Sequence, residues 1–137
     1  MKIALAGLGL VAALMSAPHA AAEPDGVFFV SPLDGLSCEI DWQRDGIPNQ
    51  AYCQTNSPPQ TVTMDEGGVI RSCMDVNHAD YSSKCDHGDP GDAPTLAYGQ
   101  TAGAGPFTCR SEPAGVTCTL PAGRGFTISA AGIARVG

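Results

Sequence analysis

Apolar and polar positions along this chain alternate in short runs, each closed by Gly, Pro, Asp or Asn. The runs are rich in Val, Ile, Thr and Phe, the pattern of half-buried β-strands divided by tight turns. They predict strands at Gly26–Val30, Leu36–Asp41, Thr61–Met64, Val69–Cys73, Thr95–Tyr98, Phe107–Arg110, Val116–Leu120 and Phe126–Ser129. Beyond residue 22, no stretch keeps a helical apolar period for three turns. Ser57-Pro58-Pro59 reads as a loop, because neither proline can donate to a ladder. Asn77 to Asp92 is the longest polar stretch and has room for one helical turn at most. The expected fold class is all-β: a small disulfide-stabilised β-barrel or sandwich of short strands.

The clearest local signal is Phe107 to Leu120, two strand-like arms around Glu112-Pro113-Ala114-Gly115 with a cysteine in each arm. Pro113 presets φ for the turn and Gly115 accepts φ > 0. A two-residue turn at Pro113-Ala114 places Cys109 opposite Cys118, where they can bond. A three-residue turn with Gly115 in a bulge slips the register by one and aims the two sulfurs at opposite faces. Both turns remain open at this level. Ser31 to Ile40 shares with Ser111 to Leu120 a Ser-x3-Gly spacing, then aliphatic, hydroxyl, Cys and aliphatic positions, which hints at an internal repeat.

Met1-Lys2, the uncharged apolar run Ile3–Met15 and the small residues Ala20-Ala21-Ala22 have the form of an export signal cleaved before Glu23. The run is short for a membrane span. The expected organisation is a signal peptide at 1–22 and one domain at 23–137, without stable membrane insertion, secreted or held at the cell envelope. Loss of Lys2 leaves six of the seven basic residues against all fourteen acids, a net charge of −8. The basic residues are scattered singly, so nucleic acid is not an expected partner.

With 6% aromatic residues the core is thin and needs covalent support. Six cysteines, Cys38, Cys53, Cys73, Cys85, Cys109 and Cys118, follow the leader, an even number consistent with disulfides in an oxidising compartment. Fifteen connectivities are formally open, about the number six cysteines allow. Nearest-neighbour pairing (38–53, 73–85, 109–118) is the expected one because it closes short loops.

Phe29-Val-Ser-Pro32 with Gly35 and Cys38, Leu96-Ala-Tyr-Gly-Gln100, Phe107-Thr-Cys-Arg-Ser111, Gly115-Val-Thr-Cys118 and Gly123-Arg-Gly-Phe126 together resemble a family of small exported actinobacterial (mycobacterial-type), cysteine-containing domains of unknown function. The resemblance implies a fold and export, and no activity. The chain departs from that pattern at Leu33-Asp34 and between Val76 and Ala93, so sites in the polar middle gain nothing from it.

Chemical motifs are sparse. Cys73, His78, Cys85 and His87 are of zinc-ligand type, but their spacing is irregular and exported thiols oxidise. Asp86, Asp89 and Asp92, with Asp80, lack the rhythm of a calcium loop and read as a solvated acidic segment. Ser82 and Ser83 accompany His78 and His87 without a nucleophile elbow or other catalytic spacing. Trp42 with Tyr52, Tyr81 or Tyr98 is a conceivable sugar platform, against which core packing of Trp42 is the preferred reading. No cofactor or metal is expected and no catalytic residue is assigned. The expected function is a non-enzymatic interaction module for an unknown protein or envelope component. The alternatives are a secreted hydrolase inhibitor with a disulfide-braced loop at Asn77–Lys84 or Ser111–Gly115, and a small hydrolase using His78 or His87. The leader generates a direct expectation: intact mass of the released protein begins within two residues of Glu23, and recovery of full-length precursor in the membrane fraction refutes it.

Overall fold

The computed structural model describes residues 26–74 and 88–137. The proposed leader, Cys85 and both histidines of the middle segment, His78 and His87, lie outside the described residues, as do Asp80, Tyr81, Ser82, Ser83 and Asp86.

Among the described residues, ten strands form two five-stranded antiparallel sheets. The first contains β1 (Val27–Val30), β2 (Leu36–Asp41), β3 (Gln50–Asn56), β4 (Pro59–Asp65) and β5 (Ile70–Met74). The second contains β6 (Thr101–Ala104), β7 (Phe107–Glu112), β8 (Gly115–Thr119), β9 (Gly125–Ser129) and β10 (Gly132–Val136). Spatial order follows chain order in both, so each sheet is a simple meander. The sheets stack face to face, with β1 and β2 against β6, and β3 and β4 against β9. They do not close on each other, so of the barrel and sandwich expected from the sequence, the sandwich is the one formed.

Alternation decides which side chains meet between the sheets. In β7 the pattern is buried–exposed–buried–exposed–buried over Phe107, Thr108, Cys109, Arg110 and Ser111. The inner rows supply Val27, Phe29, Cys38, Ile40, Ala51, Cys53, Val62 and Met64 from one side. Phe107, Cys109, Val116, Cys118, Phe126 and Ile128 come from the other. Leu96, between the two meanders, is also buried. Gln60 is fully buried as well and donates to Thr55 Oγ1 at 2.8 Å and, across the sandwich, to the Ser129 carbonyl at 2.9 Å.

Two expected disulfides are formed. Cys38 pairs with Cys53 across β2 and β3, and Cys109 with Cys118 across β7 and β8, both with Cα atoms 4.0 Å apart. Cys73 is also disulfide-bonded. The expected 73–85 pair falls partly on a residue outside the described ones. The β7–β8 hairpin resolves the choice of turn: Glu112 pairs with Gly115 around the two-residue turn Pro113-Ala114, which sets the cysteines opposite each other. Gly115 is needed for a different reason from the bulge. At φ 138° a Cβ there would lie 2.3 Å from the Ile128 carbonyl oxygen of the neighbouring strand.

Both meanders carry their disulfide between second and third strands, so the two halves share a plan. The sequence likeness noted between Ser31–Ile40 and Ser111–Leu120 does not follow that plan. It matches β2 with β8, the second strand of one meander with the third of the other.

Three strands escaped the sequence reading. β3 carries Gln50, Gln54 and Asn56, β6 is Thr-Ala-Gly-Ala, and β10 is a partly exposed edge. Each has weak strand propensity and forms because a neighbour offers a ladder. Conversely, Thr95–Tyr98 is not a strand. Only Thr95 makes a bridge, parallel to Val30, while Leu96 donates its N–H to the Val30 carbonyl and anchors the connection on the edge of β1. Pro59 opens β4, a first-strand position that a residue without an N–H tolerates. The expected loop therefore shrinks to the turn at Ser57-Pro58.

The disulfides span 15 and 9 residues, and on the chain-entropy model each contributes on the order of 3 kcal/mol. Against a typical net stability of about 5–15 kcal/mol, that share is decisive. The Cys109→Ala/Cys118→Ala double variant is therefore expected to lose about 3 kcal/mol or more in chemical denaturation. An unchanged midpoint would show the bridge to be incidental.

Candidate functional site: a groove on the outer face of the first sheet

The outward-facing side chains of the first sheet fall into rows fixed by register. Phe28, Glu39, Tyr52, Thr63 and Arg71 are successive partners from β1 to β5. A parallel row holds Val30, Ser37, Gln54, Thr61 and Cys73. Asp41 and Gln50 pair at the other side of the Phe28 row.

The segment from Gly88 to Ala93 crosses this face and turns it into a groove. It is strapped down by Gln54, which donates from Nε2 to the Gly88 carbonyl at 2.6 Å and accepts the Gly88 N–H at 3.2 Å. The segment then joins the β1 edge, where Val30 donates its N–H to the Pro94 carbonyl at 2.9 Å. The resulting cavity of about 370 Å³ is lined by Phe28, Ser37, Glu39, Gln50, Tyr52 and Gln54 on the sheet, with Gly88, Asp89, Pro90 and Ala93 along the rim. Cys38 reaches its wall too, though its sulfur belongs to the buried disulfide. A second cavity of about 330 Å³ adjoins the β1–β2 turn and shares Pro90 as a wall.

At one end of the groove lies a small charge network. Asp41 is 1% exposed at its side chain, and burying a carboxylate requires compensation. The compensation comes from Arg44, whose Nη1 donates to Asp41 Oδ1 and, at 3.1 Å, to Glu39 Oε2. Gln50 Nε2 donates to Asp41 Oδ2 at 3.1 Å. The Arg44 guanidinium also sits over the Phe28 ring, 5.6 Å from its centroid. Glu39 is held differently. Burial, followed by a hydrogen bond to Asp41 and the repulsion of that carboxylate, outweighs the opposing pull of Arg44 and raises its pKa from 4.5 to about 7. Tyr52 donates its hydroxyl to Gln54 Oε1 at 2.7 Å, which joins the aromatic floor to the strap.

The sites weighed from sequence fare unevenly. Cys73 is committed to a disulfide and has no thiolate to offer a metal. The same holds for Cys38, Cys53 and Cys118, whose sulfurs lie within 4.8 Å of one another in the core with no free cysteine among them. Asp89 lies on the groove rim and accepts the Gly91 N–H at 2.9 Å. Trp42 packs edge to face on Phe107, with ring centroids 6.4 Å apart. It also covers Gly105, where a Cβ would meet its ring at 2.2 Å, so it serves the packing of the sandwich. Tyr52 lies in the groove away from it, and Tyr98 is exposed.

Sequence reasoning missed the Glu39–Asp41–Arg44 network. The available signal was Leu-Ser-Cys-Glu-Ile-Asp: once Cys38 and Ile40 face the core, Glu39 and Asp41 must share the opposite face. No known protein family, curated protein or solved structure matches the chain. Among the described residues no helix is long and apolar enough to cross a membrane.

The raised pKa of Glu39 has a defined sign. Between 4.5 and about 7 the folded protein holds a proton that the unfolded chain has released. This contribution to stability is fully present below about pH 4.5 and is lost as pH rises through about 7. Glu39→Gln is expected to flatten the pH dependence of stability across that window and to gain relative to wild type above pH 7. Denaturation curves at pH 4.5, 6 and 8 check it, and parallel slopes for the two proteins would contradict it.

Proposed function

We propose that this protein is an exported, non-enzymatic interaction module that works outside the cell or at the cell envelope, engaging its partner through the groove over β1, β2 and β3. The observation carrying the reading is the construction of that groove. A rigid, disulfide-registered sheet supplies the floor, and Gln54 fixes the rim segment at Gly88 by two hydrogen bonds. Rigid scaffolds that present a shaped, preformed surface need little ordering on binding. Glu39, which lines the groove, and Asp41 at its end are both tied to Arg44, an arrangement suited to holding a ligand. The disulfides fit an oxidising compartment, in line with the proposed leader. The family of small exported actinobacterial domains remains the proposed kinship.

The test fills the groove. Ala93→Trp places an indole on the rim, and Thr108→Trp, on the exposed face of β7, is the control. Oxidised wild-type protein and both variants are used as bait against culture filtrate and envelope extract, with the captured species identified by mass spectrometry. Capture shared by wild type and Thr108→Trp but lost in Ala93→Trp is the expected result. Identical capture by all three refutes the groove as the contact surface.

A further inference from the structure

We propose that the groove takes a basic side chain, the guanidinium or ammonium of an arginine or lysine presented by an extended segment of a partner protein. The inference rests on the groove being the binding surface and adds the chemistry of what enters it.

Charge complementarity comes first. Among the described residues, two carboxylate residues, Glu39 on the floor and Asp89 on the rim, line the cavity, and no lysine or arginine does. With Asp41 beneath and Arg44 at the end, the local balance among the described residues is three carboxyl groups to one guanidinium. Arg71, in the same outer row, stands two strands away from Tyr52, roughly 10 Å at the usual strand spacing. The whole chain adds to the field with a net charge of −7.

Shape and surface chemistry narrow the class further. Phe28, which already lies under Arg44, and Tyr52 flank Glu39 in one row, so the Glu39 carboxyl group is set among aromatic side chains, a pairing that suits a cation. The protein already demonstrates the fit with its own residue. Arg44 rests its guanidinium over Phe28 while donating to Glu39 and Asp41. That arrangement fills the Asp41 end and leaves the length between Glu39 and Asp89 open as cavity. A volume of about 370 Å³ suits one long side chain with its flanking backbone. An acidic or phosphorylated segment would face uncompensated like charge in the same space.

The experiment uses the oxidised protein at pH 8, where Glu39 is ionised, and three probes by calorimetry. They are a blocked Gly-Gly-Arg-Gly-Gly peptide, the same peptide with citrulline in place of arginine, and a neutral N-acetylglucosamine oligomer. Binding of the arginine peptide at least tenfold tighter than the citrulline peptide, weakening with added salt, is expected. Glu39→Gln and Asp89→Asn are each expected to weaken it about threefold to tenfold. Asp89→Asn keeps the test decisive if Glu39→Gln disturbs Arg44, because Asn preserves the acceptor for the Gly91 N–H. Equal affinity for the arginine and citrulline peptides, or preference for the oligosaccharide, overturns the cationic ligand while leaving the groove as a binding surface. Absence of binding by all three, together with unchanged capture by Ala93→Trp, overturns both.

Discussion

The centre of the sandwich is a contact between sulfurs. Cys53 Sγ of one sheet lies 3.7 Å from Cys118 Sγ of the other, so the two described disulfides stack on each other where the meanders meet. Both cysteines are fully buried. In a chain with few aromatics, this polarisable pair supplies dense, apolar filling where a larger core would place rings. The bridges also pin register. Cys38 must face Cys53 and Cys109 must face Cys118, and a slip of one residue would turn each strand inside out. The outer rows inherit that precision, so the alignment of Phe28, Glu39 and Tyr52 depends on sulfurs on the opposite side of the sheet.

The charged end of the groove shows how a buried carboxylate is made tolerable. Asp41 has its oxygens bound by Arg44 and Gln50, while Glu39, two residues away on the same face, shares the same guanidinium and remains partly exposed. One arginine serving two acids leaves the second one undercompensated. The raised pKa of Glu39 follows first from burial, then from its hydrogen bond to Asp41 and the repulsion of that carboxylate, which together outweigh the pull of the shared Arg44.

Much of the fold was legible because its rules are local. Leu36–Asp41 announces itself by strict apolar–polar alternation and Phe126–Ser129 by β-branched and aromatic residues, and the Pro113-Ala114 turn with its flanking cysteines marks a hairpin. β3 was not legible, since Gln50, Gln54 and Asn56 are poor strand formers held between two stronger neighbours, β2 and β4. Thr95–Tyr98 misled in the opposite way: its residues suit a strand, yet the chain there has only the edge of β1 to bind and leaves after one bridge. The site was harder still. Alternation places Glu39 and Asp41 on one face, but the rim that makes a groove comes from Gly88–Ala93, far along the chain. Gln54 joins the two through a contact 34 residues apart, and no local pattern encodes it.

Because each sheet is built from consecutive strands, the chain passes from one to the other only once, between Met74 and Thr101. Neither described disulfide crosses that passage. Among the described residues, the molecule is thus a pair of disulfide-pinned half-shells held by an apolar seam and polar ties such as Gln60 to Ser129. A polypeptide nicked between Ala97 and Thr101 would keep the two described bridges and both ladders, and its halves would be held together by the seam and these ties. Topologically, the sandwich is already a heterodimer whose subunits happen to share a backbone.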